Sequence, residues 1–89
     1  MNKYKEQGLS LRLKAKDLVL DFMINHPLCQ KNTTGLKQAD IFRECGLDWG
    51  PKNKATSSNQ QYWVIALLRK LEDEQLIEQV KDSGPWRLR

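Results

Sequence analysis

The chain has 89 residues, of which 39% are hydrophobic and 29% are charged, and its formal net charge is +4. A domain of this size buries roughly 60–65% of the surface that its unfolded chain exposes, so the length supports a single small core. The composition is that of a globular domain and excludes collagen-like and largely disordered chains.

The charge of the chain is unevenly distributed. Lys and Arg number 15 against 11 Asp and Glu, and the isoelectric point is about 9.2. No acidic residue occurs between Trp49 and Leu71, whereas Glu72-Asp73-Glu74 follows immediately. This asymmetry predicts one positive end of the molecule and makes nucleic acid the first partner to test. The alternative is that the excess charge serves solubility alone.

The first predicted element is a helix from Leu9 to His26, preceded by a polar, flexible arm over residues 1–8. Pro27 ends the helix because it disfavours helical backbone at the residue before it. The expected core stripe follows helical spacing and comprises Leu11, Ala15, Leu18, Val19 and Phe22, with Met23 beside it.

A second apolar stripe, Leu13, Leu20 and Ile24, lies about 100° or more from the first on a helical wheel. A helix that packs on one side only does not need both stripes. Two interpretations remain open, namely a central helix covered on two sides, or a surface that binds a second copy or a partner domain.

The second predicted helix spans Leu36–Cys45, with Thr34 as its N-cap. Gly46 follows it in the position of a left-handed C-terminal cap, from which Leu47 packs back on Phe42.

A polar loop, Asp48–Thr56, leads to the third helix, predicted over about 58–74. Two overlapping capping boxes, Ser57-x-x-Gln60 and Ser58-x-x-Gln61, mark its start. Its buried stripe comprises Val64, Leu67, Leu68 and Leu71. Two short strands, 76–80 and 86–89, then form a hairpin through the turn 81–85.

The outward face of the third helix has the chemistry of a major-groove reader. The wheel places Ser58, Asn59, Tyr62, Ala66 and Arg69 opposite the buried stripe, with Trp63 on the border. Amide and hydroxyl groups match base edges, and an arginine fork matches guanine or phosphate. The alternative is that the polar residues are helix caps and Tyr62 is an incidental surface aromatic.

These elements resemble the winged-helix variant of the helix-turn-helix domain. The segment LLRKLEDEQLIEQVKDSGPWRLR is similar to the end of the recognition helix and the wing in that family, and LKQADIFRECGL is similar to the preceding helix and turn. The matching positions are Leu67, Leu68, Leu71, Leu76, Ile77, Gly84, Trp86 and Leu88. Gln75 stands where the family has glycine, and the loop Asp48–Thr56 is longer than the usual turn.

The resemblance implies a mainly α fold, a three-helix bundle with a two-stranded wing, over residues 9–89. A fainter likeness is to winged-helix modules of prokaryotic restriction endonucleases, on the strength of Trp63. The implied function is sequence-specific binding of double-stranded DNA, as a transcription regulator or as the recognition module of a larger enzyme. The expected base contacts are Ser58, Asn59, Tyr62 and Trp63, and the expected backbone contacts are Thr34, Lys52, Lys54, Arg69, Lys81 and Arg87, the last two from the wing.

The main alternative is a winged helix that binds protein rather than DNA, through a patch of Tyr62, Trp63 and Ile65. An enzyme is not expected, because the chain lacks a phosphate-binding loop, an H-E-x-x-H motif, a Ser/His pair beyond the lone His26, and a paired acid–lysine motif suited to a nuclease metal site. His26, Cys29 and Cys45 supply three of the four ligands of a structural zinc, so no metal or cofactor is expected. Neither a membrane-spanning run nor a secretory signal is present, and the expected location is cytoplasmic, or nucleoid-associated in a prokaryote.

Overall fold

The computed structural model describes residues 2–48, 62–82 and 84–89, and for residues 62–64 it describes the helical backbone alone. The elements in these residues are α1 (Lys3–Asn25), a 3₁₀ turn (Pro27–Cys29), α2 (Gln38–Glu44), α3 (Tyr62–Asp73), β1 (Ile77–Gln79) and β2 (Trp86–Leu88). The described part is therefore mainly helical with a two-stranded antiparallel sheet, which confirms the coarse fold class.

The helix α1 begins at Lys3, six residues earlier than predicted. The prediction of a flexible arm over residues 1–8 is therefore wrong from Lys3 onward. Asn2 supplies the reason. Its side-chain oxygen accepts hydrogen bonds from the backbone N–H groups of Tyr4 and Lys5, which satisfies two of the free donors at the helix start. Glu6 adds a favourable negative charge in the first turn.

Only part of the predicted core stripe of α1 is buried. Val19 and Met23 are fully buried, and Ala15 and Phe22 pack against the core. Leu11 and Leu18 are exposed, at 66% and 43% of their surface, and their assignment to the core was wrong.

The second stripe of α1 divides in the same way. Leu20 packs partly against the core, whereas Leu13 and Ile24 are about half exposed. In the described part of the chain, α1 is therefore not covered on two sides, and the interpretation of α1 as a central helix is wrong.

The helix α2 is shorter at its start than predicted. It begins at Gln38, Lys37 occupies the cap position without a side-chain hydrogen bond, and Thr34 is not the N-cap. The preceding Leu36 instead forms an isolated antiparallel bridge with Trp86, in which each backbone N–H donates to the other residue's carbonyl, at 2.8 and 2.9 Å. The long-range bridge keeps Leu36 extended and excludes it from the helix.

Both α2 and α3 end in the same hydrogen-bonded motif. After α2, Gly46 has φ +72°, the left-handed conformation that was predicted, and Leu47 N–H donates to the Phe42 carbonyl at 2.9 Å. After α3, Gln75 has φ +63°, and Leu76 N–H donates to the Leu71 carbonyl at 3.1 Å. The pattern is a Schellman motif in each case. In the second motif, Gln75 rather than a glycine occupies the left-handed region.

The hairpin and α3 complete the core. The register of β1 and β2 pairs Ile77 with Leu88, Glu78 with Arg87 and Gln79 with Trp86, close to the predicted strands. The predicted stripe of α3 is buried at Leu67, Leu68 and Leu71, and the Val64 side chain lies outside the described residues. The predicted start of α3 at about residue 58 also falls outside them.

The two helix ends provide a matched test of backbone strain. Gln75→Gly should raise the free energy of unfolding by up to about 1 kcal/mol, because glycine removes the strain of a left-handed residue. Gly46→Ala should lower it by about 1 kcal/mol for the same reason. Nothing lies within 4 Å of a Cβ added at Gly46, so crowding does not contribute there.

Urea-induced unfolding of both variants measures these changes through the transition midpoint. A Gln75→Gly variant less stable than the parent chain would show that the glutamine side chain contributes contacts worth more than the strain.

Candidate nucleic-acid interface

Several of the predicted contact residues fall outside the described residues. These are Ser58, Asn59, Lys52 and Lys54. Tyr62 and Trp63 lie in the first turn of α3, but the structure describes only their backbone. Their proposed roles therefore stay predictions from the sequence.

Arg69 lies on the outward side of α3, as the wheel predicted, with 51% of its side chain exposed. It is nevertheless engaged within the protein. Its Nη1 donates to Glu72 Oε1 at 3.0 Å and to Gln79 Oε1 at 3.4 Å. The guanidinium also lies over the ring of Trp86, 5.1 Å from the ring centre. Arg69 thus connects α3 to both strands of the hairpin, a role that the sequence did not reveal.

Arg87, the second arginine predicted to contact DNA, is committed to internal contacts. Its Nε donates to Glu78 Oε2 at 2.8 Å across the hairpin, and its Nη1 donates to the Thr33 carbonyl at 2.7 Å. With 24% of its side chain exposed, Arg87 anchors the hairpin to the segment before α2. Thr34, next to that carbonyl, is exposed.

Lys81 is exposed in the hairpin turn and forms no ion pair within the described part of the chain. The turn is held by backbone bonds from Val80 N–H to the Pro85 carbonyl and from Gly84 N–H to the Lys81 carbonyl, both at 2.8 Å. The side chain of Gln79 also donates to the Gly84 carbonyl at 2.9 Å. These bonds hold the backbone that carries Lys81 while its side chain stays available to a partner.

An open concavity of about 450 Å³ lies between α2, α3 and the hairpin, and we call it the hairpin trough. It is lined by Lys37, Gln38, Ala39, Ile65, Arg69, Gln79, Gly84 and Pro85. An adjoining surface shares Arg69 and Gln79 with the trough and continues to Lys81, and its lining also includes the carboxylates of Glu72 and Asp82. No carboxylate is among the described residues that line the trough, so its fixed charges are positive.

Lys37 and Gln38 were not singled out by the sequence analysis. They precede or begin α2, and only the fold brings them beside Arg69. In the sequence, a lysine before a helix gives no sign of a binding role. Lys37 becomes a candidate contact residue only because the fold places it in the trough.

His26, Cys29 and Cys45 are the residues that the sequence offers as metal ligands. Among the described residues, no group of three or more His, Cys, Asp or Glu side chains is arranged to hold a metal ion. Burial raises the pKa of both Cys29 and Cys45 to about 11, and the neighbouring Glu44 carboxylate contributes in the same direction. His26 accepts a hydrogen bond from Leu28 N–H through Nδ1, which caps the 3₁₀ turn. The thiols therefore stay protonated near neutral pH, and they serve packing.

No family model, curated protein or solved structure matches this chain. Within residues 2–48, 62–82 and 84–89, no helix has the length and apolar character required to cross a bilayer.

The internal contacts of Arg69 change what its removal should do. The wheel alone predicts that Arg69→Ala leaves stability almost unchanged, but the structure predicts a loss of about 1 kcal/mol, since the half-exposed cation–π contact and hydrogen bonds are lost together. Arg69→Lys should recover only part of the loss, because lysine lacks the planar fork.

Thermal or urea unfolding measures the effect, and Lys70→Ala is the matched control on the same helix. Equal, small changes in both variants would show that Arg69 does not hold the hairpin to α3.

Proposed function

We propose that the chain is a winged-helix domain that binds double-stranded DNA in a sequence-specific manner. In this proposal α3 enters the major groove and the hairpin lies on the phosphate backbone or in the minor groove. The domain serves as a transcription regulator or as the DNA-recognition module of a larger enzyme.

The hairpin trough is the observation that carries the proposal. Lys37 from the start of α2 and Arg69 from α3 both line it, and the adjoining hairpin turn carries Lys81. The lining combines these cations, which pair with phosphate oxygens in such interfaces, with the amide side chains of Gln38 and Gln79, and the Gln79 amide donates to the Gly84 carbonyl within the protein. Phosphate contacts of this kind set the register of a protein on DNA, and the start of α3 is left to read bases.

The charge distribution along α3 supports this orientation. The described part of the helix has exposed Arg69 and Lys70, and its acids follow at the C-terminal end. Glu72 pairs with Arg69, and Glu74 pairs with Lys16 of α1 at 2.7 Å. The carboxylates are thus partly neutralised by contacts within the protein and lie away from the end of α3 that would enter the groove.

Of the three residues of the protein-binding alternative, the structure describes one side chain. Of Tyr62, Trp63 and Ile65, only Ile65 has a described side chain, and it is half-buried and packs against the core. A second copy or a partner domain that binds through Leu13, Leu20 and Ile24 remains compatible with DNA binding, and Leu13 and Ile24 are the exposed members of that set.

Salt dependence tests the electrostatic part of the proposal. Lys37→Ala and Lys81→Ala should each make the slope of log affinity against log salt shallower by about one unit, because each contacted phosphate contributes about 0.9. Stability should not change, since both residues are exposed.

Lys14→Ala, which removes an exposed cation of α1 outside the trough, is the control for net charge. A slope near zero for the parent chain would refute DNA binding. An equal change in all three variants would place the contacts outside the trough.

Base reading is tested at Asn59. Selection of bound duplexes from a random pool should yield a preferred site. The selection is run once with unmethylated DNA and once with methylated bases, and the two preferred sites are compared. Asn59→Ala should then cost about 1–3 kcal/mol on that site and relax the preference at one base pair. If Asn59→Ala weakens binding equally for all sequences, the residue contacts phosphate, and the bases are read elsewhere.

A further inference from the structure

A second concavity, of about 570 Å³, lies between the N-terminal half of α1 and α3, and we call it the α1–α3 groove. It is lined by Leu9, Arg12, Leu13, Lys16, Ala66, Leu67 and Lys70. Leu9 and Leu13 are 48% and 47% exposed, and they lie one helical turn apart on the same side of α1. The groove therefore presents a ridge of exposed leucine side chains to whatever binds there.

The rim of this groove is positive. Arg12 and Lys70 are exposed, and neither forms an ion pair within the described residues. Lys16 is held by Glu74 at 2.7 Å. The lining includes no carboxylate in this part of the chain, so two uncompensated cations flank the leucines.

A second copy of α1 does not fit this charge pattern. The half of α1 that carries the exposed leucines also carries Lys3, Lys5, Arg12, Lys14 and Lys16, against Glu6 as its one acid before Asp17. Placing it in the groove of another copy would bring like charges together, which disfavours association. Duplex DNA would satisfy the cations but would leave Leu9 and Leu13 without apolar contacts.

We propose that the α1–α3 groove binds an acidic amphipathic helix of a partner protein. The apolar side of such a helix covers Leu9 and Leu13, and its carboxylates face Arg12 and Lys70. Helices that bind grooves in this way use apolar anchors at i, i+3 or i+4, and i+7. The groove uses Ala66 and Lys70 of α3, whereas the hairpin trough uses Ile65 and Arg69, so the two surfaces lie side by side along the helix and are lined by different residues of it. The inference does not depend on DNA binding.

The test uses the whole chain and a displayed library of helical peptides. Each peptide has apolar residues at the anchor positions, and its other positions vary among Glu, Lys, Gln and Ala. Selection should enrich Glu. Binding of a selected peptide, measured by fluorescence anisotropy, should weaken by about tenfold in the double variant Arg12→Glu, Lys70→Glu, since each reversal replaces an attraction with a repulsion.

The matched control is Lys14→Glu, Lys31→Glu, which makes the same change in net charge at exposed positions that do not line the groove. It should change the affinity by less than about threefold. Circular dichroism shows whether each variant is folded, and an Ala66→Tyr variant, which fills the groove from an exposed position, provides a second route to loss of binding.

Three outcomes would overturn the proposal. The first is a failure of charge selectivity. It would appear as enrichment of Lys or of neutral residues in the selected peptides, or as a loss of binding in the control variant equal to that in the Arg12→Glu, Lys70→Glu variant. The second is a dimer in solution that Leu13→Glu dissociates and that the selected peptide does not displace, which would assign the surface to a second copy. The third is displacement of the peptide by random duplex DNA together with weaker DNA binding by the Arg12→Glu, Lys70→Glu variant.

Discussion

The structure depends on how closely Trp86 and its neighbours approach the segment before α2. The Trp86 backbone bonds to Leu36 in both directions, and its fully buried ring lies beneath the Arg69 guanidinium. This approach requires Gly35, at φ +82°, because an added Cβ would lie 2.9 Å from Pro85 Cβ and 3.0 Å from the Trp86 carbonyl oxygen. One glycine thus allows the hairpin to pack closely against the segment that leads into α2. Without that junction the hairpin trough would not form.

Burial of Trp86 leaves one hydrogen-bond donor unsatisfied, but the apolar surface that it buries contributes more to stability than this costs. Its Nε1–H finds no hydrogen-bond acceptor within the described part of the chain, and an unsatisfied buried donor costs about 1–3 kcal/mol. Burying roughly 200 Å² of an aromatic side chain contributes about 5 kcal/mol at about 25 cal/mol per Å². The apolar contribution exceeds the polar cost, so the ring remains in the core and gives Arg69 a flat surface on which to lie.

Local signals in the sequence predicted the features that depend on local bonds, and missed those that depend on distant ones. The Gly46 cap and the strand positions follow from residues close in sequence. The extended backbone of Leu36 and the contacts of Arg69 with Gln79 and Trp86 require partners ten to fifty residues away. Periodicity identified the apolar residues of α1, but it carries no information on how far the core extends beside a helix. Leu11 was therefore misassigned. The trough was missed because Lys37 gains its significance only beside α3.

The acids at the end of α3 determine which cations remain available to partners. Glu72 and Glu74 bind Arg69 and Lys16, which removes part of the positive charge from the centre of each concavity. Among the cations without ion pairs in the described residues, Lys37 and Lys81 stand by the trough and Arg12 and Lys70 stand by the groove. Interactions at such exposed positions are screened by salt and act mainly on encounter and orientation. The groups between the cations therefore distinguish the two concavities. Amide side chains fill that place in the trough and leucines fill it in the groove, and this difference is the physical basis for assigning them to different partners.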